Sequence, residues 1–297
     1  MKKTVYLTIC LVLLSVVASC TAQFSEPKGI IEYEGQEVNL SLDGIREVYG
    51  WNPQIKDISN EYGNGKGVIS VSFPKNWTPD DGYDIFDICY ILSDYNVSIT
   101  SIVIPDGETT IVEEAFGGCS SLTSITLPES LTTIEERAFW DCSSLTSITI
   151  PEGVTTIGAG AFSGCSSLSS IVVASGNTIY DSRGNCNCII EKNTGRLIKG
   201  SNKSSIPEGV TTIEGGAFSG CSSLTSITLP ESLTLIEGGA FKFCTSLTSV
   251  TILSDWLDNM GFDVFYGCSS LVEVICSESF YDFYGHILFA GCPVLNK

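Results

Sequence analysis

Residues 217–241 read "AFSGCSSLTSITLPESLTLIEGGAF", a stretch that begins and ends on the same Ala-Phe pair. Its cysteine, Cys221, returns 23 residues later as Cys244. The same interval separates Cys119, Cys142 and Cys165, while Cys268 and Cys292 follow at intervals of 24. Seven cysteines therefore share one phase. The unit around them is C-S-S-L-T-S-I-T-[LI]-P-E-[SG]-[LV]-T-x-I-x-x-x-A-F-x-x-C. It is nearly intact at 119–142, 142–165 and 221–244 and decayed over 245–292, and an earlier unit starts near Ser98 as "SITSIVIPDGETTIVEEAFGGC".

Units of about 20 to 29 residues with leucines at fixed offsets mark leucine-rich solenoids, where each unit buries its apolar face by stacking on its neighbours. Within "LTSITLP", Leu224, Ile227 and Leu229 should point inward and Thr228 outward, by the alternation of a short strand. Leu145, Ile148 and Ile150 repeat the pattern, as do Leu247, Val250 and Ile252. Pro105, Pro128, Pro151, Pro207 and Pro230 end the strand, because proline has no N–H for the ladder. Ile134, Ile157, Ile213 and Ile236 offer a second inward side, and the Ala-Phe pairs would fill the convex side. The expected fold is mainly β: 23–24 residue coils with short strands and short helical turns, preceded by a small β-rich or capping region.

Stacking like positions makes outward columns. One holds Thr126, Thr149, Thr228 and Thr251, with Val103, Val172 and Ile275 at the same phase. A neighbouring one holds Thr123, Thr146, Thr225 and Thr248, with Ser169 and Val272. These eight threonines form a candidate binding face, since solenoid curvature creates long recognition surfaces. Strand propensity alone also accounts for an exposed threonine.

The chain begins "MKKTVYLTICLVLLSVVASC", with a basic start, an apolar run and small residues, the order of an export signal. Val17-Ala18-Ser19-Cys20 looks like the lipobox of bacterial lipoproteins, which implies cleavage before Cys20 and lipidation on it. Several acyl chains would then hold the protein at a membrane surface. No later segment is long and apolar enough to span a bilayer. Losing Lys2 and Lys3 with the leader takes the formal charge from -19 to -21. That balance argues against a nucleic-acid partner, which would want a basic patch. The organisation expected is a signal peptide over 1–19, a β-rich or capping region over 20–92, a solenoid over 93–292 and a tail over 293–297.

The repeats from Ser98 to Cys292, carried most clearly by "SLTSITLPESLTTIEERAFWDCSSLTSITIPEGVTTIGAGAFSGC", resemble the BspA-like leucine-rich repeat family of bacterial surface proteins. The resemblance implies a secreted or surface-attached, non-catalytic protein of a Gram-negative Bacteroides relative. It also implies an adhesive role, since several members bind host matrix proteins or promote coaggregation. The partner it implies is a host matrix or bacterial surface protein, with a glycan as the alternative, and the chain would act as a monomer.

Between Cys165 and Cys221 lie 33 residues more than one period. "NCNCIIEKNTGRLIKG" there reads as a β-hairpin, within an insertion over about 174–205, with strands near Cys186 to Ile190 and Arg196 to Gly200 and a turn at 192–195. The resemblance supports it, since similar "YDSRGNCN" modules interrupt that family's repeats. Asp181, Asn185, Asn187 and Glu191 invite a calcium reading, but Arg183 stands at the third position and the closing acid comes a residue early. Cys186 and Cys188 lack a second pair, so no metal site is assigned.

Residues 24–92 leave the repeat and contain Trp51, Trp77 and several tyrosines. A spacer, a cap for the first open edge and a small β domain remain open, and a cap is physically needed. Phe280, Tyr281, Phe283, Tyr284, Phe289 and Cys292 look like a terminal aromatic plug.

Catalytic chemistry finds little support. His286 is the only histidine, so a His-based triad or metal cluster would have to be built around it. Glu129, Glu152, Glu208, Glu231 and Glu237 fall in rows on an outer edge, where a glycosidase would need two acids flanking a cleft. No cofactor and no catalytic residue is assigned. The leading reading is a surface-tethered, adhesin-like binding solenoid, against a structural or polysaccharide-binding envelope lipoprotein and, remotely, a carboxylate-based glycan hydrolase. Cys119, Cys142, Cys165, Cys221, Cys244, Cys268 and Cys292 read as structural core. Coils about 4.8 Å apart put their Cα atoms near disulfide range, but equivalent side chains run parallel into the core, and once the expected leader and its Cys10 are lost, the eleven cysteines besides Cys20 cannot all pair.

Overall fold

The structure is a computed structural model describing residues 30–33, 36–39, 68–72, 98–104, 106–285, 288–289 and 292. The expected leader, Cys20, Trp51, Trp77, His286 and residues 293–297 lie outside the described residues. The chain forms two compact units, divided between Glu108 and Thr109.

In the first unit, strand Ile30–Tyr33 pairs antiparallel with Gln36–Asn39 and with Val68–Ser72. Val68–Ser72 then runs parallel to Ser98–Val103, so the strand that first carries the repeat's S-I-V-I-P pattern has a ladder partner outside the repeat. Ile102 and Ile104 are buried on either side of exposed Val103.

The second unit is built of coils that each supply two short strands. In the first sheet, Ser147–Ile150 pairs parallel with Ser170–Val173, and Ser226–Leu229 pairs with Ser249–Ile252, which pairs with Glu273–Ile275. The second sheet has Thr110–Ile111, Thr133–Ile134 and Thr156–Ile157 on one side of the insertion. On the other it runs Tyr180–Asp181, Cys188–Glu191, Arg196–Gly200, Thr212–Ile213, Leu235–Ile236 and Asn259–Met260. Helix is confined to turns at Arg183–Asn185 and Glu278–Gly285 among the described residues.

Alternation decides what is inside. Strand Ser226–Leu229 buries Ile227 and Leu229 and exposes Ser226 and Thr228, and Ser147–Ile150 does the same. Each strand stops before its proline, whose carbonyl then accepts the turn N–H, as from Val154 to Pro151 and from Leu233 to Pro230. The phenylalanines stack face to face through the interior. Phe116, Phe139 and Phe162 lie 5.3 and 5.2 Å apart, and Phe218, Phe241, Phe265 and Phe289 lie 4.7, 5.0 and 5.2 Å apart.

The in-phase cysteines line this core as free thiols, buried at Cys142, Cys165, Cys221, Cys244 and Cys268 and half-buried at Cys119 and Cys292. They do more than fill space. Cys142 Sγ donates to Phe116 O at 3.1 Å, Cys165 to Phe139 O at 3.1 Å, Cys244 to Phe218 O and Cys268 to Phe241 O at 3.2 Å. Each of these phenylalanine carbonyls also accepts the backbone N–H of the cysteine three residues further on, as Phe116 O does from Cys119 N, so the thiol of the next coil is its second donor and ties neighbouring coils together. Burial pushes Cys119 and Cys292 up to about 11 and raises Cys221 as well, which keeps these sulfurs protonated and poorly nucleophilic.

The insertion is the hairpin read from the sequence, with strands Cys188–Glu191 and Arg196–Gly200 paired antiparallel. Its second strand joins the second sheet parallel to Thr212–Ile213 and so acts as a partial coil. Gly200 lies beneath the next ring: a Cβ there would come within 2.0 Å of Phe218 Cε1.

Candidate functional site

The threonine columns occupy the outer face of the first sheet, and the structure corrects their continuity. Between Val172 and Thr228 the sheet is broken. Ile171 N donates to Asn187 Oδ1 at 3.3 Å and Val173 N to Ser182 Oγ at 3.2 Å, so insertion side chains cap the strand edge where the next coil would pair. One sheet bears Thr149 and Val172 and another Thr228, Thr251 and Ile275, while Thr126 belongs to neither of the two.

The two columns also differ chemically. Thr146 donates its hydroxyl to Thr123 O at 3.1 Å, Ser169 to Thr146 O at 3.3 Å and Thr248 to Thr225 O at 2.9 Å. Thr146, Ser169 and Thr248 thus spend their hydroxyls on zipping coils together. Thr126, Thr149 and Thr228 are exposed and Thr251 is half-buried, and none of their hydroxyls makes a hydrogen bond among the described residues. A third threonine ladder, unseen in the sequence reading, zips the second sheet through Thr132 to Thr109 O, Thr155 to Thr132 O and Thr234 to Thr211 O.

The residues once weighed for calcium are dispersed. Asp181 pairs with Arg183 at 3.0 Å, Asn187 caps Ile171, and Glu191 accepts from the Thr194 hydroxyl at 2.6 Å. No group of three or more ligating side chains occurs among the described residues. Of the acids, Glu129, Glu152, Glu208 and Glu231 are exposed, while Glu237 accepts the Gly215 N–H of the preceding coil at 2.9 Å.

Sequence reasoning passed over two charged groups at the insertion. Glu214 is buried and pairs with Arg196 at 2.6 Å; burial pushes its carboxyl up to about 7 even though Arg196 pulls the other way. Arg196 also reaches Glu237 at 3.7 Å, so one insertion guanidinium holds two solenoid acids. Lys199 is 1% exposed, and its ammonium has no hydrogen-bond partner among the described residues. The unit TTIEGGAF placed Glu214 beside a buried isoleucine, and that was the available signal. Nothing in the local sequence marked Lys199.

A groove of about 410 Å³ runs along the turns that precede the cysteines, lined by glycines, serines, Asp141 and Phe243. Each coil passes there through a left-handed residue: Gly118, Asp141, Gly164, Gly220, Phe243 and Gly267, with φ between 56° and 78°. Side chains at this position lie over the next coil. A Cβ at Gly164 would meet Asp141 Oδ1 at 2.0 Å, and one at Gly267 would meet Phe243 Cδ1 at 2.4 Å.

A chain of stacked short-strand coils with leucine, cysteine and phenylalanine columns is a leucine-rich repeat β-solenoid, an architecture typical of bacterial surface proteins. The pattern of the BspA type leucine rich repeat region matches it in six copies over residues 90–196 and 198–297, and the chain belongs to that family. Among solved structures, a leucine rich cell surface protein from Faecalibacterium prausnitzii is 28% identical, with a TM-score of 0.40 and 62% of each chain covered. A leucine-rich repeat protein from Bacteroides ovatus is 29% identical, covering 60% of this chain and 49% of that one at a TM-score of 0.40. The pneumococcal vaccine antigen PcpA is 23% identical over 60% of this chain and 51% of its own, with a TM-score of 0.50. This chain thus spans between half and two thirds of these relatives. No curated protein matches it.

Proposed function

We infer that this chain is a surface-tethered, non-catalytic binding protein that recognises host or bacterial surface macromolecules in the manner of an adhesin. Its tether is a lipid on Cys20, at the outer membrane or cell surface of a Gram-negative bacterium, and it acts as a monomer. The observation that carries the reading is the unspent threonine column. Thr126, Thr149, Thr228 and Thr251 present hydroxyls and methyls on regular strands, where a partner can lie across several coils and collect many weak contacts.

The test is binding of the purified protein to immobilised host matrix proteins and to whole bacterial cells. Thr149→Arg, Thr228→Arg and Thr251→Arg together are expected to lower binding at least about tenfold, as loss of a central contact does. Undiminished binding by the triple variant would take the site off this face. Absence of binding to either class would remove the adhesive reading.

A further inference from the structure

Phe243 breaks the rule its position obeys elsewhere. Five of the six equivalent residues are Gly or Asp, which tolerate the left-handed backbone, whereas Phe243 holds φ 59° as the one aromatic in that region among the described residues. Its ring is not bought back by the core. It is 48% exposed, lies over Gly267, and meets Tyr266, itself 44% exposed, edge-on at 5.8 Å. Lys242 Nζ sits 5.4 and 5.0 Å from the two ring centres and 3.9 Å from Asp263 Oδ2. Two exposed rings thus stand in contact, Phe243 lining the end of the groove and Tyr266 beside it.

The polar groups that such rings need for specificity stand next to them. The groove leads from Phe243 past Ser219 and Ser166 to Ser143, Asp141 and Ser120, crossing several coils. Its backbone donors other than Gly164 N are spent among the described residues: Gly220 N bonds to Lys242 O, Phe243 N to Tyr266 O and Asp141 N to Ser163 O. A peptide strand therefore finds no edge to extend. An anionic chain finds one lysine, already paired, on a protein of net charge -19. What remains is a ligand with apolar C–H faces for the rings, hydroxyls for serine and carboxylate, and no charge.

We propose that the groove ending at Phe243 and Tyr266 is a binding subsite for an extended, neutral polysaccharide chain. The sugar next to the mouth stacks on the face of one ring and meets the other edge-on, and the following residues hydrogen-bond along the serine row. This subsite is separate from the threonine face and does not depend on it.

Native affinity electrophoresis of the purified protein through gels containing amylose, mixed-linkage β-glucan, galactomannan or arabinoxylan tests it, with polygalacturonate as the anionic comparison. At least one neutral polymer should retard the protein. Phe243→Gly and Tyr266→Ala should each weaken that retardation tenfold or more, and Phe243→Gly should melt no lower than the parent, because glycine suits its backbone. Retardation by no neutral polymer, retardation unchanged in both variants, or retardation by polygalacturonate alone would each overturn the proposal. A protein partner captured through the threonine face would leave all of these readouts unmoved, so the two sites fail separately.

Discussion

Before the insertion, three phenylalanine rings stack at 5.2 to 5.3 Å; after it, four stack at 4.7 to 5.2 Å, and thiol-to-phenylalanine-carbonyl bonds occur in both blocks. Outside, the two blocks part company. Between Thr109 and the insertion, Trp140 and Val172 are the exposed large apolar side chains, whereas the later coils expose Phe243, Leu253, Trp256, Phe262, Tyr266 and Phe283 among others. An interior that repeats can leave its outward positions to drift independently, because a solenoid coil touches only its neighbours. The exposed apolar residues are therefore concentrated in the coils that follow the insertion.

The comparison breaks hardest if the cores are not equivalent. Phe139→Ala and Phe241→Ala should each cost about 3–5 kcal/mol, the usual range for a buried ring. Urea unfolding followed by Trp140 in one single-tryptophan variant and Trp256 in another should show each substitution acting more on its own block. Equal shifts of both signals would mean that the insertion transmits folding without loss.

A smaller and opposite effect is expected at the junction. Lys199→Met puts an apolar chain of similar length in place of a buried ammonium that has no hydrogen-bond partner among the described residues, and should stabilise the protein by about 1–3 kcal/mol in chemical denaturation. Destabilisation would show that the ammonium has a role in the folded state.

The smallest effect concerns pH. The Glu214 carboxyl stands at about 7 when folded against 4.5 as its ordinary value, so between those limits the folded chain holds the extra proton. Stability from this group is therefore greatest below about pH 4.5 and falls as pH rises through about 7. Glu214→Gln should flatten the slope of melting temperature between pH 5 and 7, roughly the interval separating the two values. A slope unchanged by the substitution would assign the dependence elsewhere.

Much of this was legible in the chain. The alternation of Ile148 and Ile150 with Thr149, the prolines at strand ends and the hairpin turn at 192–195 follow from period, missing N–H groups and turn chemistry. The sheet break was not, because it depends on the carboxamide of Asn187 and the hydroxyl of Ser182 reaching backbone N–H groups 16 and 9 residues away. The two threonine columns also read alike in sequence. They differ only in which hydroxyl the coil stacking brings to a carbonyl. The aromatic plug proved partial: Phe280 and Phe289 are buried, but Phe283 is 62% exposed and stands edge-on to Trp256. Proximity in the chain could not separate them.

The capped edge at Ile171 and Val173 has one more consequence. Because the insertion finishes one pair of sheets and starts another, whole coils can be gained or lost on either side without disturbing pairing on the other. A coil gained or lost between Thr149 and Phe243 would slide the Phe243 mouth relative to Thr149 by one rung, about 4.8 Å. The molecule is in that sense a ruler, whose graduations are set by hydrogen-bond spacing and whose length is written in multiples of one unit.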